Sequence, residues 1–286
     1  MNTLMKTLAA TAMAAGLAGC HVNFDPAKVP DATPQEVTRV EPLSWWTGMK
    51  TPLQLLVQGE GIGEKDVVIE GGEGVSVRAT HKAESPDYLF VDVEIQANAK
   101  PGTYYLVVSK EGAAPVKYPY IIREREKGSA DRASFTTADL VYLIMPDRFA
   151  SGRAGNDKAW DGDAYDDGSA VPWAVPETPD EVDREDPVAR HGGDIQGIID
   201  HLDYIADLGA TALWSTPLLL DNQPQESYHG YACGDYYHID PRFGDNALYK
   251  KMVDEAHAKG IKVIMDIVTN HCGTAHWWMD NPPFSD

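Results

Sequence analysis

Cysteine is scarce: Cys20, Cys233 and Cys272 are the only three in 286 residues. That number excludes a disulfide framework. It leaves open either one pair in an oxidising compartment or two free thiols besides Cys20. Basic residues are also few, with 24 Lys and Arg against 44 Asp and Glu and a formal net charge of −20. Gripping a phosphate backbone takes basic patches, so the balance argues against nucleic acid as a partner. It says nothing against a neutral ligand such as a sugar. No H-E-x-x-H is present, and His238 and His276 lack partners at metal-ligand spacing, which argues against zinc. At 43% hydrophobic and 24% charged, most of the chain is expected to fold as soluble globular protein, with length for two domains.

The N-terminus has an apolar run, but a short one. In "MNTLMKTLAATAMAAGLAGC", a polar start with Lys6 leads into roughly ten small or apolar residues, about half the ~20 that span a bilayer. The segment closes on Leu17-Ala18-Gly19-Cys20, which resembles the lipobox of bacterial lipoproteins. The resemblance implies a signal peptide over 1–19, lipidation of the Cys20 thiol, and anchoring to a bacterial membrane, periplasmic or at the cell surface. An ordinary secretory signal with an incidental cysteine is the alternative, and either exports the protein. A buried acyl methylene contributes about 0.8 kcal/mol, so stable anchoring takes more than one chain. Residues 20–40, polar and Pro-bearing, read as a tether.

From 41 to 123 the signals are all strand: "LQLLVQG", "DVVIEG", "VSVRATH", "YLFVDVEIQ", "TYYLVVSK" and "KYPYIIR", separated by turn chemistry such as Glu70-Gly71-Gly72 and Lys100-Pro101-Gly102. Val91, Val93 and Ile95 alternate with Asp92 and Glu94, the period of a half-buried antiparallel strand. Short alternating strands at regular spacing predict a β-sandwich. No cluster here suggests chemistry, and a structural or sugar-contacting accessory domain is expected.

Residues 124–135 are charged and aperiodic, and read as a linker. Beyond them "LVYLIM" (140–145) is a continuous apolar run, as in a strand buried on both faces. An acidic, Gly- and Pro-rich loop follows, and its Asp161, Asp163, Asp166 and Asp167 read as a solvated face. Ile195, Ile198, Ile199, Leu202, Ile205 and Leu208 fall at helical spacing before Gly209. "TALWST" (211–216) is a second strand. A helix with Leu248, Met252, Val253 and Ala256 on its inner face ends at Gly260, and "IKVIMDIV" (261–268) is a third strand. Alternating strands and helices predict a parallel sheet, whose functional groups gather at the C-terminal ends of the strands.

Four blocks then acquire a common meaning: "YLIMPDRFASGRAGND", "RHGGDIQGIIDHLDYIADLGATALWSTP", "YHGYACGDYYHIDPRFG" and "AHAKGIKVIMDIVTNH". Together, in this order, they resemble the α-amylase family, glycoside hydrolase family 13, and the last contains a D-x-x-x-N-H signature. "PLSWWTGMKTPLQLLVQGEGI" resembles the N-terminal domain of cyclomaltodextrinases and neopullulanases. The resemblance spans roughly residues 40–286. It implies a multidomain β plus α/β chain: an immunoglobulin-like β-sandwich over 41–123, the linker over 124–135, and over 136–286 the first three β/α units of an incomplete TIM (β/α)8 barrel.

Site residues follow from the matched motifs. Asp266 corresponds to the aspartate that helps hold an arginine beside the nucleophile, and His271 to a histidine that hydrogen-bonds the sugar at the cleavage subsite. His229 and Tyr231 correspond to a second sugar-contacting histidine and an aromatic platform. Asn270 corresponds to a calcium ligand in some members and a loop-fixing amide in others. A calcium site is implied at Ser151, Asn156, Asp157, the Gly192 carbonyl and Asp194, with Arg153 departing from the pattern because a guanidinium has no acceptor atoms. Asp147 and Arg148 are expected to form a loop-orienting ion pair. The Trp277-Trp278 pair is left open between lining a sugar cleft and packing.

Retaining glycosidases need a nucleophile and an acid/base about 5–5.5 Å apart. In this family both follow later strands, so the expected chain is an inactive fragment, with no catalytic carboxylate, of an α-glucan hydrolase acting on starch oligomers, pullulan or cyclodextrins. A non-catalytic, membrane-anchored α-glucan-binding protein is the alternative. Expected partners are α-glucan oligosaccharides and, through Cys20, a membrane. A homodimer through the N-terminal domain of the full-length protein is left open.

Overall fold

In the computed structural model the described residues are 36–153, 182–221, 223 and 225–285. Cys20, the signal segment, most of the tether, Asn156, Asp157 and the acidic loop therefore lie outside the described residues. The chain divides into two compact units. One runs through Arg132 and takes in the residues from Asn281 on, and the other is Ala133–Asp280.

Among its described residues the first unit holds eight strands: β1 (Arg39–Glu41), β2 (Ser44–Trp46), β3 (Leu53–Gln58), β4 (Asp66–Glu70), β5 (Val75–Lys82), β6 (Tyr88–Ile95), β7 (Gly102–Ser109) and β8 (Val116–Arg123). They form two four-stranded sheets, ordered β1-β3-β6-β5 and β2-β8-β7-β4. Only β2 against β8 is parallel within them. The alternation read from the sequence shows why the sheets face each other. Val91 and Val93 of β6 are buried, while Asp92 points out and accepts from Gln54 Nε2 and His81 Nε2 on the flanking strands, both at 2.8 Å. One core joins Leu55, Leu89 and Val91 of one sheet to Leu106, Val108 and Ile122 of the other. Burying a side chain of that size contributes about 1.5–3 kcal/mol.

All six expected strands are present, and the sequence pattern missed β1 and β2. Three residues are too short to show a period. Pro119 sits in β8 opposite Tyr105 but beyond the Ile121–Arg123 stretch that β2 pairs, so its missing N–H faces an open edge. The returning residues close the unit. The Tyr88 hydroxyl donates to the Asn281 carbonyl, Asn281 Nδ2 donates to Asp87 at 3.1 Å, and Phe284 stacks on Phe90 at 6.0 Å.

The second unit runs β9 (Val141–Ile144), α1 (Pro146–Phe149), α2 (Ile195–Asp200), α3 (Leu202–Asp207), β10 (Ala212–Ser215), β11 (Leu219–Asp221), β12 (Cys233–Ile239), α4 (Asn246–Ala258) and β13 (Lys262–Met265). β9, β10 and β13 form a parallel sheet with β10 in the centre, and β11 pairs antiparallel with β12. Ile144, Leu213 and Val263 pack with Ile195 and Ile198 of α2 and Met252 and Ala256 of α4.

Three expectations change here. The strands are not buried on both faces: Leu143 is 53% and Trp214 37% exposed, because the described helices cover only the face bearing Ile144 and Leu213. The helix expected from Ile195 to Leu208 is broken at His201. There the imidazole Nδ1 takes the Gly197 carbonyl at 2.8 Å, the acceptor the His201 N–H would use, and that N–H turns to Ile198 at 3.1 Å. The third strand ends at Met265 rather than 268, where pairing with β10 runs out. Among the described residues no helix is long and apolar enough to cross a membrane.

Candidate active site

The polar residues that follow β13 meet two aromatic donors. Asp266 Oδ2 accepts from Tyr231 Oη and from Trp214 Nε1, each at 3.2 Å. Trp214 is in register with Ile264 across the parallel β10–β13 pair, so its indole stands beside the carboxylate as the chain leaves the strand. Among the described residues Asp266 Oδ1 makes no hydrogen bond. Tyr231 is 39% exposed, enough to offer ring surface to a ligand. Burial, the Asp266 charge and the hydrogen bond to Asp266 all raise its phenol above the ordinary range, so it stays a donor at neutral pH.

His271 Nε2 lies 3.1 Å from the Tyr231 carbonyl, and Tyr236 Oη donates to the His271 carbonyl at 2.8 Å. Asn270 Oδ1 stands 3.2 Å from His271 Nδ1. His229 joins through the Tyr231 backbone N–H, which donates to His229 Nδ1 at 2.9 Å, with the two rings 5.8 Å apart. An Nδ1 that accepts is unprotonated, which leaves Nε2–H as the donor of a neutral ring. Burial lowers the His229 pKa and favours that neutral form. Asp266, His271, His229, Tyr231 and Asn270 are thus one connected group. Trp214 and Tyr236 belong to it as well, and the sequence pattern did not single them out. Trp214 was legible only as the last large residue of a strand parallel to the one carrying Asp266.

Beneath the group lies a buried charge cluster. Asp221 accepts from Ala232 N at 3.1 Å and Gln223 N at 3.3 Å, and its Oδ2 is 3.9 Å from His229 Nδ1. Burial pushes its carboxyl up to about 7. Burial opposes the charge of Asp240 too. There the Arg242 and Arg190 guanidiniums prevail and hold the carboxyl at about 2. Arg242 grips Asp240 through Nε at 3.0 Å and Nη2 at 2.9 Å, and Arg190 lies over the Phe243 ring at 4.5 Å.

The loop after β9 is tied to the Gly-Gly-Asp stretch. Asp147 pairs with Arg148 and accepts from His191 N at 2.9 Å and Gly192 N at 3.2 Å. A Cβ on Gly193 would lie 2.0 Å from the Pro146 carbonyl, and one on Gly197 1.9 Å from the Ala150 carbonyl, so both positions require glycine for close approach. Asp194 caps α2 with its carboxylate, accepting from Gly197 N at 2.6 Å, Gly152 N at 3.0 Å and Arg153 N at 2.9 Å. Calcium takes six to eight oxygen donors. Ser151, the Gly192 carbonyl and a carboxylate already holding three N–H groups do not by themselves make that set. Among the described residues no three His, Cys, Asp or Glu side chains are placed to hold a metal ion.

The remaining sequence candidates have structural partners. His238 Nδ1 bonds Asp235 at 2.9 Å, and His276 Nδ1 accepts from Trp278 N at 3.1 Å. Trp277 is buried and Trp278 half-open, their rings edge-on at 5.7 Å. Cys233 and Cys272 are free thiols, and burial raises that of Cys233 to about 12.

Residues 143–283 match the model of the α-amylase catalytic domain, and residues 39–126 that of the cyclomaltodextrinase N-terminal domain. Residues 143–283 thus carry the catalytic domain of the α-amylase family. A cyclomaltodextrinase from Thermoanaerobacter pseudethanolicus is 40% identical over 156 residues, covering 54% of this chain and 23% of the relative. Neopullulanase 2 from Thermoactinomyces vulgaris is 40% identical over 144 residues, covering 49% of this chain and 21% of the relative. Among solved structures an Anoxybacillus α-amylase is 40% identical, covers 50% of this chain and 26% of its own, and superposes with a TM-score of 0.41. The chain therefore spans about a quarter of the length of the curated relatives it matches. Of the two units, the first is the cyclomaltodextrinase-type β-sandwich, and the second a partial α-amylase catalytic domain containing the Asp266 group.

Proposed function

We propose that the Asp266 group is the sugar-positioning wall of an α-glucan hydrolase, within a protein exported and lipid-anchored at Cys20. The observation that carries this is the convergence of Tyr231 and Trp214 on one oxygen of Asp266, which leaves Oδ1 turned to no other described group. A free carboxylate oxygen suits a guanidinium or a sugar hydroxyl. The exposed Tyr231 face suits the C–H surface of a glucose ring, and the His229 Nε2–H suits its hydroxyls.

On this reading the full-length enzyme cleaves α-1,4 bonds with retention. A carboxylate displaces the leaving oxygen at the anomeric carbon as an acid protonates it, and water then releases the glycosyl-enzyme. Asp266 is a positioning group in that scheme, and this chain alone binds without turnover. Saturation-transfer NMR should detect maltoheptaose but not cellohexaose, with the signal weakened in Tyr231→Phe and His271→Ala. Equal response to the β-linked oligomer overturns the substrate class. Reducing ends released from maltoheptaose by this chain would overturn the positioning-only role.

A further inference from the structure

The turn that carries His229 and Tyr231 is held from below at both ends. At its start Ser227 is fully buried, and its Oγ accepts from Arg190 Nη1 at 3.4 Å. At its end Ala232 N donates to Asp221 Oδ2 at 3.1 Å. Between them Gly230 adopts a φ of 79°, and a Cβ there would lie 2.1 Å from the Pro217 carbonyl, so the turn has little room to shift. We propose that Asp221 is a positioning residue for this turn: its carboxyl fixes the backbone behind Tyr231 and, from beside Nδ1, decides how the His229 imidazole holds its proton. The sugar-contacting purpose of that ring rests on the proposed function, whereas the hold on the ring rests on the geometry of the cluster.

Asp221 is itself anchored. Its N–H donates to Asp240 Oδ2 at 3.2 Å, and its carbonyl accepts from Arg242 Nη2 at 2.5 Å. The residue is wholly buried, and its side chain leaves this fixed backbone towards the turn. Oδ1 takes Gln223 N at 3.3 Å, Oδ2 takes Ala232 N, and Oδ2 stands 3.9 Å from His229 Nδ1. That nitrogen is already an acceptor, bonded by the Tyr231 N–H at 2.9 Å. An ionised Asp221 sets a buried negative charge against a ring lone pair; a neutral carboxyl does not.

The other charged and titratable groups around Asp221 come from three elements. Asp240 and Arg242 reach it from the segment after β12, Arg190 from the stretch ahead of α2, and Cys233 from β12, where it pairs with Asp221 in the ladder. Asp235, opposite Leu220 in the same ladder, is taken up by His238 Nδ1 at 2.9 Å.

Burial weighs most on the Asp221 carboxyl, and the Asp240 charge adds to it. The Ala232 and Gln223 N–H groups and Arg242 pull the other way, and the carboxyl is left at about 7. Burial moves the His229 ring in the opposite direction, below its ordinary 6.5. As pH rises through neutrality, Asp221 therefore loses its proton beside a ring that is already neutral. The new charge favours a proton on Nδ1, and a protonated Nδ1 no longer accepts from the Tyr231 N–H. The turn is expected to keep its hold on the ring below about pH 7 and to loosen above it.

The test is a pH titration of the whole chain, read from the His229 imidazole NMR signals as identified by their loss in His229→Gln. In the wild type these signals should inflect near pH 7, with Asp221, as well as below 6.5, with the ring itself. Asp221→Asn is neutral and keeps an oxygen for the Ala232 N–H, so it should lose the upper inflection and retain the lower. A role in packing alone leaves the ring's titration unmoved, and the same curve in both proteins overturns the assignment. Should Asp221→Asn fail to fold, the wild-type curve decides: two inflections support the assignment and one overturns it. Maltoheptaose, added on either side of pH 7, separates this from the proposed function. A saturation-transfer signal that falls with rising pH in the wild type, but not in Asp221→Asn, supports both. No signal from either protein, with the upper inflection lost in the variant, overturns the sugar reading and leaves Asp221 positioning the ring. A signal from both at every pH, with the ring's titration unchanged, overturns the Asp221 assignment and leaves the sugar reading standing.

Discussion

Asp221 shows how a single buried carboxyl can set a pH response. Its ordinary pKa of 3.8 rises to about 7, chiefly through burial, so the folded chain holds a proton that the unfolded chain has released. The folded state binds more protons between those values. This group's contribution to stability therefore falls as pH rises through that window, and the penalty is complete above about 7. Asp240 acts elsewhere: held at about 2, it adds stability that is lost only as pH falls from its ordinary 3.8. Asp221→Asn should therefore gain on the wild type between pH 5 and pH 8 in urea unfolding. An unchanged difference between those two pH values would remove Asp221 from the account. The fate of His229 follows the same local logic, since burial favours its neutral ring and the Tyr231 N–H selects its tautomer.

At the scale of elements, α2 is held by the residue that caps its start. Asp194, fully buried, satisfies three backbone N–H groups drawn from α2 and from the loop after α1. Removing an N-cap costs about 0.5–2 kcal/mol, and each buried N–H left unpaired about 1–3 kcal/mol. Asp194→Ala is predicted to destabilise the second unit by about 2 kcal/mol or more. Asp194→Asn should cost less, because the amide oxygen keeps part of the cap. Equal midpoints of urea unfolding for wild type and Asp194→Ala would contradict this. The helical period of residues 195–208 was legible in the sequence, because it reflects which side chains are buried. The break at His201 was not legible, because it depends on which carbonyl an imidazole captures.

At the scale of the whole molecule, two units of different class share one chain, and the last described residues belong with the first unit. The proposed lipid anchor acts at this scale, because it would tether both units to a membrane through one thiol. Expressed in a bacterial host, the wild-type chain should enter the detergent phase and carry the mass of acyl chains. Cys20→Ser should remain in the aqueous phase. Identical partitioning of the two would refute lipidation at Cys20.

The sequence by itself determined the six longer sandwich strands, the alternation of strand and helix, and the family. These depend on side-chain periods and motifs spelled out over a few consecutive residues. Tertiary structure alone decided that Trp214 and Tyr231 share one oxygen of Asp266, that Asp221 lies buried beneath His229, and that Asn281 returns to Tyr88. It also decided that one face of the parallel sheet stays open while the other packs on α2 and α4. Such contacts join segments far apart along the chain. Local periodicity records whether a residue is buried, but the fold determines which distant group it meets.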